Sequence, residues 1–282
     1  MHMLAAIDLG GTHCRFARFA ATPRGLDLEA VETCPTAGLQ DSDTVLQQWE
    51  SCLHTPLSRV AALVMGVAPE HFLVENVPAF DISTMWRVLV IAILCAIASM
   101  LFCWAMHSGA KLFKKLFKNE FLRAAVGGIV VILLTLLVGT RAYNGGGMDV
   151  IERIFEEGVV RPEAFLLKMI FTSITIGAGF KGGEIVPTLF IGATLGGTLA
   201  LLVGLSPAFG AAIGIAALFC GVTNCPIATI LLSVELFGSE SALFCMIAAL
   251  VSFLFSGYFS LYSGQQLIYS KLSEKEINVH GH

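Results

Sequence analysis

Residues 177–197 read GAGFKGGEIVPTLFIGATLGG, a glycine-rich turn and a proline set inside sequence that is otherwise apolar enough for a membrane. A backbone break at that depth is stable only where it lines a cavity or is buried in protein, because lipid offers no hydrogen-bond partner. Gly177, Gly179, Gly182 and Gly183 let the chain turn and approach a ligand closely, and Pro187 suits the first turn of the helix that follows. The free amides of Glu184, Ile185 and Val186 are then predicted at the positive end of a helix dipole, pointing into a protein interior. Such an arrangement is an anion site.

The composition around this stretch is that of an integral membrane protein. Of 282 residues, 56% are hydrophobic and 13% charged, against about 45–50% and about 25% in soluble domains. The formal charge of -4 and the absence of a Lys/Arg array with interleaved aromatics exclude a nucleic-acid partner. The eight cysteines show no zinc-ligand spacing. Cys95, Cys103, Cys220, Cys225 and Cys245 lie in apolar runs, where thiols act as small reduced hydrophobes. Nothing in the sequence calls for a cofactor.

Residues 88–106 form the first predicted span, nineteen apolar or small residues that cover about 28 Å as a helix. Lys111, Lys114, Lys115, Lys118 and Arg123 follow, and the positive-inside rule puts that end in the cytoplasm. Residues 124–139 are short for a span and end in a polar turn at 140–147. A short amphipathic helix is expected at 148–158, and a third apolar segment at 165–176 carries Lys168, read as snorkelling to an interface. The helix at 185–203 comes next. Short, broken apolar segments of this kind point to a transporter site near the bilayer midplane.

From 209 to 236 the apolar run exceeds one span, and Thr223-Asn224-Cys225-Pro226 divides it, since Pro226 removes a donor and disfavours helix before it. Glu235, near the end of the second half, is read as a structural or water-facing acid ahead of a functional one. A last long segment is expected at 242–262, followed by a short helix at 265–272 and a polar tail.

The run Gly183-Glu184-Ile185-Val186-Pro187 resembles the Gly-x-Phe-x-Pro segment of CLC chloride channels and proton-coupled halide antiporters, with Ile185 where phenylalanine is commonest. Asn144-Gly145-Gly146-Gly147, the stretch AALFCGVTNCPIATILLSVELFG at 216–238 and Leu267-Ile268-Tyr269-Ser270 agree in order and spacing. The resemblance covers residues 86–275 and looks like the second half of a CLC subunit, one half of an inverted repeat. It implies that Gly183, Glu184, Ile185 and Val186 contribute to anion binding, with Gly182, Pro187 and Pro226 structural near the pore. It also implies a terminal helix bringing the Tyr269 hydroxyl to the central anion; without the resemblance, Tyr269 reads as an interfacial belt residue. Gly-Gly-Glu forms of the motif occur in bacterial branches, including those associated with fluoride export, so chloride and fluoride both stay open as the ion. An ionised Glu184 would repel a halide, whereas a protonated one could donate to it. The first-half motifs of the family have no counterpart in residues 1–85.

Residues 1–82 are of a different kind, polar and charged, without a recognisable signal peptide. Alternation in LAAIDLGGT and HCRFARF predicts a hairpin turning at Gly10-Gly11, with a helix at 43–53 and a strand at 60–67. Asp8-Leu9-Gly10-Gly11-Thr12 resembles the first phosphate motif of the glucokinase branch of actin-like sugar kinases. There Asp8 would help hold a metal ion, and Gly10, Gly11 and Thr12 would meet nucleotide phosphate. The run 66–83, GVAPEHFLVENVPAFDIS, looks like later segments of the same family. Phosphoryl transfer needs several further parts, and the chain passes into membrane helices instead, so an active enzyme is not expected.

The expected organisation is a truncated kinase-like α/β fragment at 1–82, a mainly α, multi-span CLC-type membrane domain at 83–276, and a polar tail at 277–282. The expected function is transmembrane transport of chloride or another halide in a bacterial inner membrane, incomplete as a single chain. Its expected partners are the halide ion, the lipid bilayer and a second copy in a homodimer of complete subunits. A sugar kinase fragment, or an inactive chimera of two truncated genes, are the alternatives.

Overall fold

The computed structural model describes residues 3–9, 13–22, 25–35, 71–74, 77–262, 265–269, 271 and 276–280. The chain divides into two compact units, Met1–Glu70 and His71–His282.

In the first unit, strands β1 (Met3–Leu9), β2 (His13–Thr22) and β3 (Gly25–Pro35) form an antiparallel sheet in that order. The expected hairpin is present, with Asp8 opposite Arg15 and Leu9 opposite Cys14. Gly10, Gly11 and Thr12, together with the helix at 43–53 and the strand at 60–67, lie outside the described residues.

The second unit is mainly α. Helix α1 (Ile82–Leu116) starts where the Asp81 carboxylate accepts the Thr84 amide at 2.6 Å, and it buries a stripe including Val88, Ile91, Cys95, Phe102 and Met106. It outruns the expected 88–106 at both ends and carries Lys114 and Lys115 in its last turn, where the helix dipole favours cations. Helix α2 (Glu120–Val138) begins at Asn119, whose side chain accepts the Phe121 amide, and ends at Gly139 with φ 72°. It includes Glu120 and Arg123, which the expectation of a short segment had left outside, and at 19 residues it is long enough to span. The amphipathic helix α3 (Met148–Glu156) buries Ile151 and Ile154 and stacks Phe155 on Phe72 and Phe237.

Helices α4 (Ala164–Gly177) and α5 (Ile185–Val203) flank the glycine-rich turn, as expected. Helix α6 (Pro207–Thr223) is apolar all round and buried along its length apart from Pro207 and Phe219, as befits a helix enclosed by neighbours. It packs against α1, α5 and α8 (Ala242–Phe255). The break before α7 (Pro226–Phe237) falls at Asn224, which takes a left-handed φ of 55°. Among the described residues three helices, α1, α2 and α5, are long and apolar enough to cross a membrane.

Three expectations at the carboxyl end need correction. Helix α8 stops at Phe255, and after Gly257 (φ 59°) the chain turns back rather than continuing to 262. It does so because the carbonyls ending α6 need donors: the Leu261 amide reaches Val222 O at 3.0 Å and Gln265 Nε2 reaches Thr223 O at 3.0 Å. The expected helix at 265–272 is instead strand β4 (Gln266–Tyr269), paired antiparallel with β5 (Glu276–His280). Of the expected polar tail at 277–282, residues 277–280 belong to strand β5, where Glu-Ile-Asn-Val-His alternates with the strand period of two.

Candidate functional site

The glycine-rich turn after α4 ends at Glu184, which precedes the first turn of α5 with no side-chain cap. Thr188 folds back on it, donating its amide and hydroxyl to Glu184 O at 3.2 and 2.8 Å. The amides of Glu184, Ile185 and Val186 find no protein acceptor among the described residues. They are the orphan donors of a helix N-terminus.

Beside them lies a cavity of about 480 Å³ lined by Gly182, Gly183, Val186 and Pro187 on one side, and by Tyr143, Asn144, Gly145 and Gly146 on another. Thr172 and Thr175 of α4 complete much of the wall. The 143–147 turn can approach α5 because its residues lack bulk where the two meet. A Cβ on Gly146 would stand 3.4 Å from Val186 Cγ1. Gly147 has φ 79°, and a Cβ there would lie 2.8 Å from the Phe190 ring, so both backbone and space require glycine.

What holds the turn is Lys168. Its side chain is buried, 1% exposed, rather than snorkelling as its sequence position had implied. Nζ donates to Gly145 O at 2.7 Å and Tyr143 O at 3.3 Å, and stands 4.7 Å from the centre of the Phe190 ring. Burial is tolerated because carbonyl oxygens and an aromatic face replace the water an ammonium would lose. Sequence reading missed this role; the one available signal was a charge inside an apolar helix, by default a functional feature.

The remaining expected site residues disperse. Glu184 lines a second cavity of about 530 Å³, together with Trp104, His107, Lys111, Lys114 and Leu261, and Ile176 borders both cavities. Glu184 thus belongs to a wall with two lysines, and of the three residues with unpartnered amides only Val186 lines the first cavity. Ile185 is 48% exposed. Pro226 opens α7 and lines neither cavity. Tyr269 ends strand β4, not a terminal helix, and its side chain lies outside the described residues. Asp8 lies in β1 of the other unit. Glu235 is exposed, and Cys95, Cys103, Cys220 and Cys245 are buried free thiols, with Cys225 exposed.

Comparison with known proteins agrees with this architecture. The family model described as "Voltage gated chloride channel" matches residues 49–257. The chain is 34% identical over 212 residues to a chloride/fluoride channel protein of Pseudomonas syringae pv. tomato, covering 73% of this chain and 47% of that protein. It is 26% identical over 237 residues to the H(+)/Cl(-) exchange transporter ClcA of Vibrio cholerae, covering 78% and 50% respectively. Among solved structures it resembles a CLC-type fluoride/proton antiporter, with a TM-score of 0.68 and 28% identity over 71% of this chain and 51% of that one. The chain belongs to the voltage gated chloride channel family, and it spans about half the length of these relatives. The match begins at residue 49, ahead of the expected start near 86, and takes in the run 66–83 that had been compared with sugar kinases. The comparisons lend nothing to the kinase alternative.

Proposed function

We infer that this chain forms half of a transmembrane halide pathway, with residues 83–276 as the membrane-embedded unit. The observation that carries this reading is the cavity that Gly182, Gly183, Val186 and Pro187 share with the Asn144-Gly145-Gly146 turn, beside the unpartnered amides that start α5. Hydrogen bonds to a charged partner contribute about 1.5–3 kcal/mol each, so two or three hold a partly dehydrated halide once a complementary half closes the other side. Anion binding is assigned to Gly183, Glu184, Ile185 and Val186, and the Tyr269 hydroxyl belongs to the same site in the assembled subunit. Gly182, Pro187 and Pro226 are assigned to the backbone that shapes it. The relatives' names include both chloride and fluoride, and the transported ion is chloride or fluoride. The assembled subunits pair as a homodimer in a bacterial inner membrane. Asp8, Gly10, Gly11 and Thr12 are assigned to a phosphate-motif remnant with no part in transport.

Reconstitution tests this reading. Liposomes loaded with chloride or fluoride, carrying this chain with a co-expressed first half of a family member, should release halide above protein-free vesicles, and the lone chain should not. Failure of the pair to release either ion would refute the reading.

A further inference from the structure

We propose that Lys168 is the positioning residue and the buried positive charge of the anion cavity, clamping the 143–147 turn against α5 and setting the cavity's preference for an anion. This rests on the halide reading above and assigns to that site a residue outside the Gly-x-x-x-Pro run. A methionine would fill nearly the same space without desolvating a charge, so packing alone does not account for a lysine here. The two carbonyls that receive its protons, Tyr143 O and Gly145 O, belong to residues on the cavity wall, so the ammonium stands one backbone layer behind it. The opposite face of the same turn rests on α5, where Gly147 meets the Phe190 ring that also covers the ammonium. One side chain therefore ties the turn, the helix and the charge together.

The charge is not cancelled locally. Carbonyl oxygens and a ring face solvate it, and Asp149 on α3 bears on it electrostatically without an ion pair among the described residues. A cation held this way favours an anion in the adjoining space and disfavours a cation, through a medium that screens less than water. Glu184, the carboxylate of the neighbouring motif, lines the other cavity.

The test uses the full chain assembled with a co-expressed first half of a family member and purified in detergent, with chloride as the probe, and compares wild type with Lys168→Arg, Lys168→Gln and Lys168→Met. Chloride-35 line broadening reads binding, and hydrogen exchange of the peptide spanning 143–147 reads the clamp, with α6 peptides as the internal reference. Lys168→Gln keeps donors without charge, so it should retain slow exchange in the turn and bind chloride at least about tenfold more weakly. Lys168→Arg should stay within about threefold of wild type in both readouts. Lys168→Met should lose both, with exchange faster in the turn than in α6; if that variant does not fold, the other two decide. Wild-type chloride affinity in Lys168→Gln would overturn the charge role. Unchanged turn exchange in a folded Lys168→Met, or acceleration equal to that of α6, would overturn the clamp. If the assembled wild type gives no saturable broadening, the halide reading fails and the charge role with it, whereas turn exchange still decides the clamp.

Discussion

Lys271 ends the described part of the segment after β4 with its ammonium against Asn224 Oδ1, Phe253 O at 2.8 Å and Ser256 Oγ at 3.1 Å, and it lies over the Phe253 ring. It thus bridges the carboxyl ends of α6 and α8, where the helix dipoles favour a cation. Burial nevertheless wins, pushing its pKa from the ordinary 10.5 down to about 8, with Cys220 acting weakly in the opposite sense. Between those two values the unfolded chain binds the proton that the folded chain has released, so folding stability rises with pH there. Below pH 8 both states are protonated and this contribution is flat. The thermal midpoint of wild type should therefore gain on that of Lys271→Met between about pH 8 and 10.5; parallel midpoints across that window would contradict the burial argument. At this scale the sequence was uneven in what it disclosed. Pro226 announced the break at Asn224 because proline leaves a mark on any backbone it occupies. Lys168 stayed hidden because its partners are backbone carbonyls 23 and 25 positions upstream, and carbonyls have no sequence signature.

Between elements, α5 and α6 cross with their backbones in close approach. Gly192 and Gly196 face Gly210 and Gly214, and a Cβ on Gly196 would lie 2.2 Å from Gly210 O, while one on Gly214 would lie 2.2 Å from Gly192 O. Small residues let the two backbones meet, the usual way for membrane helices to gain packing without a hydrophobic driving force. Gly196→Ala should cost about 1–3 kcal/mol of stability through overpacking, read as a lowered denaturation midpoint in detergent. Gly182→Ala, whose Cβ would meet nothing within 4 Å, should stay within about 0.5 kcal/mol of wild type. Equal midpoints for the two variants would mean that the crossing yields more readily than its geometry implies. The ends of α5 at Ile185 and Val203 were legible because the glycines before it and Gly204 after it are punctuation that any helix obeys. The strand at Gln266–Tyr269 was not, since its partner lies downstream at Glu276–His280 and non-local pairing overrides local propensity.

For the molecule as a whole, the half-length match to its relatives and the outward apolar face of α2, with Ile132, Leu133, Leu136 and Leu137 exposed, agree with a unit made to be covered by lipid or protein. The membrane class was legible from composition alone, and the helix start at Ile185 from the glycines set before it. The presence of two separate cavities beside that helix start was not, because which wall carries Glu184 depends on how α1 and the segment after α8 close around it. The central claim is that a halide occupies the space between the α5 amides and the Asn144-Gly145-Gly146 turn. Bromide, diffused into crystals of the chain assembled with a complementary first half, reports that position by anomalous scattering. The account predicts a peak within hydrogen-bond distance of the Ile185 or Val186 amide and beside the 144–146 turn. A peak in the Lys111–Lys114 cavity alone, from an assembly that transports halide, would contradict it.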